Sequence, residues 1–289
     1  MSFVLPRKLA AARAIALSLL ACAASMCAGA IPPAFACGAD SPCALDKGYY
    51  LHRLPAGWDG VSPLPLVMFF HGYGASAEEV MADAGQARAM SDIGALLVAP
   101  NGIDKGWSFG AGMPRDRDDI AFTKAVLDDV EARLPIDRRR ELATGFSIGG
   151  SMTWWLACHL PGRFTAFAPI AGAFWEPMPT SCEAGPVSIR HIHGLADKTV
   201  PMKGRAVGGG KFKQGDVMES WHRRLDWDGC PAKPDVQETR DGMDCSSWSA
   251  GSCASGHPME LCLHPGEHEI VPRWIVAGFR WMERNGKPE

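Results

Sequence analysis

Short, almost wholly apolar runs alternate along the chain with stretches whose apolar residues recur every three or four positions. Leu64–Phe70 (LPLVMFF) and residues 96–99 (LLVA) are of the first kind, each ending at a Gly or Pro turn. A strand with one wet face alternates polar and apolar residues, so these runs predict strands buried on both faces of a parallel sheet. Residues 142–145, 164–171 and 187–193 read as further strands. Residues 118–134 place Ile120, Thr123, Leu127, Val130 and Leu134 at helical spacing, with acids at the start and Arg133 near the end. That pattern predicts an amphipathic crossover helix. Residues 151–160, 216–227 and 271–284 also read as helices. The alternation predicts an α/β fold with a doubly wound, mostly parallel sheet, whose chemistry belongs beyond the carboxyl ends of the strands.

Two segments interrupt this order. Residues 201–215 carry Gly204, Gly208, Gly209, Gly210 and Gly215, too flexible for a core element and expected to form a loop over the site. Residues 228–264 hold four cysteines, many Ser and Gly and only weak strand patterns. They read as a disulfide-braced insertion before the last strand, either a surface elaboration or a substrate-shaping one.

With 289 residues, 47% of them hydrophobic and 21% charged, the chain can bury a large core and is not of a disordered or fibrous class. Arg7, Lys8 and Arg13 precede an apolar stretch over residues 14–24, too short to span a bilayer and suited to a secretory signal. Ala34, Phe35 and Ala36 supply a small-x-small cleavage pattern, with Ala28, Gly29 and Ala30 as an earlier alternative. The expected organisation is a signal peptide over residues 1–36 and one catalytic domain over 37–289, with no linker dividing it. A lipid anchor at Cys22 is disfavoured by the bulky Leu20. Without the leader, 26 bases (29 less 3) stand against 32 acids. That balance argues against nucleic acid as a partner, and no stable membrane association is expected. Export leaves eight cysteines: Cys37, Cys43, Cys158, Cys182, Cys230, Cys245, Cys253 and Cys262. An even count predicts four disulfides among about 100 possible pairings, of which closeness favours only Cys37 with Cys43.

The chemistry is carried by Gly145-Phe146-Ser147-Ile148-Gly149, a G-x-S-x-G between a strand-like and a helix-like run. A serine on a sharp strand-to-helix turn needs glycines beside it, because side chains there would collide with adjacent strands. A serine nucleophile needs a base, and the base an orienting acid; in the α/β-hydrolase order the acid and then the histidine follow the serine. Asp197 stands just past a strand and is expected as the acid, with Asp216 and Asp244 as weaker alternatives. His268, in a loop before the last helix, is expected as the base, with His264 second. His71-Gly72-Tyr73-Gly74 ends a buried strand, so Tyr73 N–H and Ile148 N–H are the expected oxyanion donors, Gly74 N–H the alternative, and His71 a structural residue beneath the turn.

HGYGAS (71–76), GFSIGGSMTWWLAC (145–158), HGLADKTVP (193–201) and ELCLHPGEHEI (260–270) together resemble secreted α/β-hydrolases grouped with polyhydroxybutyrate depolymerases and feruloyl esterases, of the carbohydrate esterase family 1 type. The resemblance spans most of the mature chain. It implies an α/β-hydrolase fold and serine ester hydrolysis without metal or organic cofactor, and its triad falls on Ser147, Asp197 and His268. The chain departs from depolymerases of solid polyester in having no length for an added substrate-binding domain. A phenolic ester of the plant wall is therefore the preferred substrate, and a hydroxyalkanoate oligomer the nearest rival. Ten tryptophans against three tyrosines suit an aromatic pocket. Trp107 and Trp175, in loops after strands, are expected to line it, whereas Trp154, Trp155, Phe174 and Trp248 fit core packing as readily. Two further readings stand beside this one: metal-assisted hydrolysis through His191, His193, His264, His268 and Glu269, and a non-catalytic carbohydrate-binding module. A monomer is expected.

Overall fold

The apolar strands are buried on both faces because helices cover both sides of the sheet they form. The structure, a computed structural model, describes residues 1–2, 37–109, 117–182 and 184–285. The expected signal segment, with Cys22, Cys27 and the cleavage pattern at Ala34 to Ala36, lies outside the described residues.

Strands β1 (Cys43–Leu45), β2 (Gly48–Arg53), β3 (Leu64–Phe70), β4 (Leu96–Pro100), β5 (Ile136–Phe146), β6 (Ala166–Ile170), β8 (Ile189–Gly194), β11 (Val236–Arg240), β12 (Met243–Trp248) and β13 (Met259–His264) form one sheet in the order β1-β2-β4-β3-β5-β6-β8-β13-β12-β11. From β4 to β13 neighbouring strands are parallel; the pairs at both edges are antiparallel. Helices α3 (Asp119–Arg133), α4 (Ile148–His159) and α5 (Val217–Trp227) share one core layer with Leu66, Met68 and Phe70 of β3. Helices α1 (Ala77–Ala82), α2 (Ala84–Asp92) and α6 (Pro272–Asn285) share the other with Val67 and Phe69. Successive β3 residues thus feed opposite cores, which is why the run carries no polar residue.

The helix over 118–134 forms as the pattern predicts: Asp118 is the N-cap and accepts from Ile120 N–H and Ala121 N–H. Strand β5 begins earlier than its apolar run, because Ile136–Arg140 is the half-exposed end of the strand and its charged residues hide it. The insertion is more ordered than expected. Residues 236–248 form an antiparallel hairpin that widens the sheet beyond β13, and its outer strand β11 protects the edge with charged, exposed residues. All eight cysteines expected in the mature chain pair, as Cys37–Cys43, Cys158–Cys182, Cys230–Cys253 and Cys245–Cys262. The last two brace the insertion.

The glycine-rich segment over 201–215 is also not a bare loop. Strands β9 (Ala206–Val207) and β10 (Phe212–Gln214) pair with each other, and β10 pairs with β7 (Trp175–Glu176), making a small second sheet.

Candidate active site

Strand β5 ends at Phe146 and α4 begins at Ile148, so Ser147 alone makes the turn. Its backbone sits at φ 60°, ψ −122°, a conformation costing about 1–3 kcal/mol that persists only where the surroundings enforce it. Ser147 N–H donates to Ile170 O at 3.0 Å, and Ser151 N–H to Ser147 O at 2.9 Å. The turn also needs bare neighbours: a Cβ on Gly145 would stand 2.7 Å from Phe70 O, and one on Gly149 2.6 Å from the Phe70 carbonyl carbon.

Beside this elbow, β3 runs out into His71 to Gly74. Gly74 N–H is taken by Lys105 O at 2.9 Å, which removes the alternative donor. Neither Tyr73 N–H nor Ile148 N–H has an acceptor among the described residues. Ile148 is the first residue of a twelve-residue helix, where the backbone dipoles favour an anion. His71 lies beneath the turn as expected: Nδ1 donates to Gly72 O at 2.9 Å and Nε2 accepts from Gly102 N–H at 3.0 Å. Only the neutral ring satisfies both bonds, in line with burial pushing its pKa down.

Trp107 is a correction. It does not line the substrate cavity; it is fully buried under the turn, its Nε1 donating to His71 O at 2.8 Å and its ring 4.7 Å from the imidazole. An indole in a loop reads alike from sequence whether it faces a cavity or props a backbone carbonyl.

Asp197 and His268 come from two loops joined by backbone bonds. Leu195 N–H donates to His264 O at 2.8 Å and Ala196 N–H to Gly266 O at 3.0 Å. The approach requires Gly194, where a Cβ would stand 2.6 Å from Gly266 O. Asp197 Oδ1 accepts from Thr199 N–H at 2.8 Å and Val200 N–H at 2.7 Å, leaving Oδ2 to accept from His268 Nδ1 at 2.7 Å. Burial pushes the Asp197 carboxyl up, but the bonds from His268 and Val200 N–H outweigh it and hold the group below its ordinary range. An ionised Asp197 fixes the proton of neutral His268 on Nδ1 and leaves Nε2 as the basic nitrogen. The His268 ring packs on Phe146, the residue before Ser147, with centroids 4.6 Å apart. No hydrogen bond joins His268 to Ser147 Oγ among the described residues; such contacts commonly close only when substrate is bound.

The weighed alternatives are engaged elsewhere. Asp216 caps α5, and Asp244 accepts from Thr239 Oγ1 at 2.8 Å in the hairpin. His264 Nδ1 accepts from Gly266 N–H at 3.1 Å and its ring packs at a tilt against Trp274, so it shapes the loop that carries His268. His191 Nδ1 donates to Pro169 O at 3.0 Å and His193 Nε2 to Val200 O at 2.8 Å, beneath the Asp197 turn. The five groups of the metal reading do not converge: among the described residues, no three of them lie within ligating reach of one another.

Ser147 opens on a cavity of about 370 Å³ whose wall includes Tyr73, Ile148, Ser151, Trp175, Arg205, Phe212 and Gln214. Trp175 is therefore where the sequence places it, fixed by its Nε1 donating to Ser151 Oγ at 3.1 Å. Trp154 and Trp155 are buried in the core, as is Trp248 in the insertion. Sequence reasoning missed Phe212, Gln214 and Arg205, because a short strand pair in a glycine-rich stretch has no periodicity to betray it. Ser151 could have been found, since four residues after Ser147 it shares that helix face.

The "Putative esterase" family model matches residues 49–201, over half the chain. The "Probable feruloyl esterase C" of Aspergillus clavatus is 30% identical over 245 residues, 81% of this chain and 80% of that protein. "Feruloyl esterase C" of Emericella nidulans is 28% identical over 239 residues, 80% of this chain and 79% of that one. Among solved structures, an acetyl xylan esterase from Aspergillus awamori superposes with a TM-score of 0.60 over 80% of this chain and 94% of its own, at 13% identity, a likeness of fold. With this match, these relatives and this fold, the chain belongs to the esterase family and is an α/β-hydrolase that cleaves carboxylic esters.

Proposed function

We propose that this protein is an exported serine esterase that cleaves hydroxylated aryl-acyl esters of the feruloyl kind through an acyl-enzyme. The observation that carries the reading is the 2.7 Å bond from His268 to ionised Asp197, with that imidazole packed on Phe146 beside the strained Ser147. His268 Nε2 takes the Ser147 proton as Oγ attacks the ester carbonyl. Tyr73 N–H and Ile148 N–H receive the charge that develops on the carbonyl oxygen, each such donor being worth about 10²–10³ in rate. The tetrahedral adduct collapses as His268 hands the proton to the departing alcohol. Water, activated by the same imidazole, then releases the acid and restores Ser147.

The acyl preference rests on the cavity wall. Trp175 and Phe212 border the cavity with aromatic rings, a lining suited to a flat acyl group. Gln214 lines the same space with its side-chain carbonyl oxygen buried and unpartnered, an acceptor suited to a ring hydroxyl. The names of the fungal relatives point the same way. Export is supported by the leader-like composition of residues 1–36 and by four disulfides, which persist in oxidising compartments.

The test compares kcat/KM for methyl ferulate, methyl cinnamate, acetylated xylan and hydroxybutyrate oligomers, with Ser147→Ala and a serine-directed phosphonate as controls. Expected are a preference for the ferulate, stoichiometric labelling, and loss of both turnover and labelling in Ser147→Ala. Turnover retained by that variant overturns the mechanism; a preference for hydroxybutyrate oligomers overturns the acyl assignment alone.

A further inference from the structure

A second cavity, of about 330 Å³, is lined by five arginines, Arg190, Arg240, Arg273, Arg280 and Arg284, with Asp241 as its one acid. It is remote from Ser147 along the chain's own geometry: Arg190 stands near the start of β8, whose other end leads to the Asp197 turn. Arg273, Arg280 and Arg284 project from α6, and Arg240 and Asp241 come from the end of β11 and the turn after it.

Of these five arginines Arg190 alone is buried, and its carboxylate partner does not saturate it. Arg190 is 3% exposed; its Nε donates to Glu260 Oε1 at 2.5 Å and its Nη2 meets Cys262 Sγ at 3.5 Å, but Nη1 is buried without a partner. Glu260 is already shared, accepting from Arg240 Nη2 at 2.7 Å and Ser247 Oγ at 3.0 Å. Arg240 spends its other nitrogen on Glu238 at the surface, 2.9 Å away. Arg273, Arg280 and Arg284 form no ion pair among the described residues, and Glu283, the acid on α6, pairs with Arg140 instead. Burial pushes the Arg190 guanidinium down, and the charges of Arg240 and Arg284 push the same way against the pull of Glu260. Five guanidinium groups thus stand against three carboxylates, Asp241, Glu238 and Glu260, in a chain whose net charge is −3. A local positive surplus around a buried, unpartnered N–H calls for an anion, and the planar guanidinium fork matches the oxygens of a phosphate or carboxylate.

We propose that this cavity is a binding site for an oxyanion carrying more than one negative charge, either free or borne on a larger molecule such as an acidic oligosaccharide. One oxygen would accept from Arg190 Nη1, while the exposed guanidinium groups of α6 and Arg240 close over the remaining charge. Nothing in this site touches the reacting ester, so occupancy is independent of the serine chemistry.

The test is calorimetric titration of the mature protein at constant ionic strength with inorganic phosphate, with trigalacturonate, and with chloride as control. Because removing Arg190 would strand Glu260 and could unfold the protein, the comparison variant is Arg280→Gln/Arg284→Gln, both side chains being exposed. Expected is saturable one-to-one binding of an oxyanion by the wild type, weakened about tenfold or more in the variant, with unchanged turnover of p-nitrophenyl acetate. Saturation by phosphate alone identifies a free ion, and saturation by trigalacturonate alone identifies an oligosaccharide-borne carboxylate. No binding beyond the chloride control, or equal affinity in wild type and variant, overturns the proposal whether or not the protein proves to be a feruloyl esterase.

Discussion

Replacing Asp197 separates what the acid does for the fold from what it does for the reaction. Its Oδ1 holds two backbone donors, the half-exposed Thr199 N–H and the buried Val200 N–H, and its Oδ2 holds His268 Nδ1. Asp197→Asn keeps an oxygen for the two amides and turns an NH₂ towards His268. The imidazole must then present a lone pair at Nδ1 and carry its proton on Nε2, where it cannot accept one from Ser147. In serine triads the corresponding change lowers kcat about 10⁴-fold, equivalent to about 5.5 kcal/mol of transition-state stabilisation. Stability should fall by less than about 1 kcal/mol, since the amides stay bonded. Asp197→Ala leaves the buried Val200 N–H unpartnered at about 1–3 kcal/mol, the Thr199 N–H turning to water, while its catalytic loss is of the same order as that of the Asn variant. Urea melts and kcat/KM on methyl ferulate, measured for both variants, test the separation. An Asn variant within tenfold of wild type, or Asn and Ala variants of equal stability, would refute the assigned hydrogen bonding.

Glu141 on β5 is buried with Oε1 unpartnered, and burial with the nearby Glu131 raises its pKa from 4.5 to about 8. The folded state therefore holds a proton that the unfolded chain releases, so stability falls as pH rises between those values. At about 1.4 kcal/mol per pH unit the fall reaches about 5 kcal/mol; Glu141→Gln should flatten it, and a flat wild-type profile in denaturant melts would count against it. His264→Ala should cost about tenfold in kcat/KM by loosening the loop that carries His268, against about 10³-fold or more for His268→Ala, and steady-state kinetics showing the reverse order would exchange their roles. Cys245→Ala/Cys262→Ala removes a cross-strand link with a sequence separation of 17 and should lower unfolding free energy by about 3 kcal/mol; a loss under about 1 kcal/mol would show that the hairpin holds without it.

Much of this protein is legible along the chain because its constraints are local. Runs such as LPLVMFF, too short for a helix and ended by a turn, read as strands covered on both faces, and the periodicity after Asp118 reads as a helix with one buried side. The elbow at Ser147 is visible because its steric demand falls on Gly145 and Gly149, residues adjacent in sequence. Strands without an apolar run, such as β11, and the β9–β10 pair among glycines leave no such trace, since they are largely exposed hairpin strands held by backbone bonds and no buried face imposes a pattern on their side chains. The partners of six cysteines, the burial of Trp107, the Gln214 carbonyl in the cavity and the arginines gathered between α6 and the widened sheet were decided only in three dimensions. Composition and spacing record what a residue needs from its immediate neighbours. Which distant group meets it, as His268 meets Asp197 across 71 positions, is settled by how the layers pack.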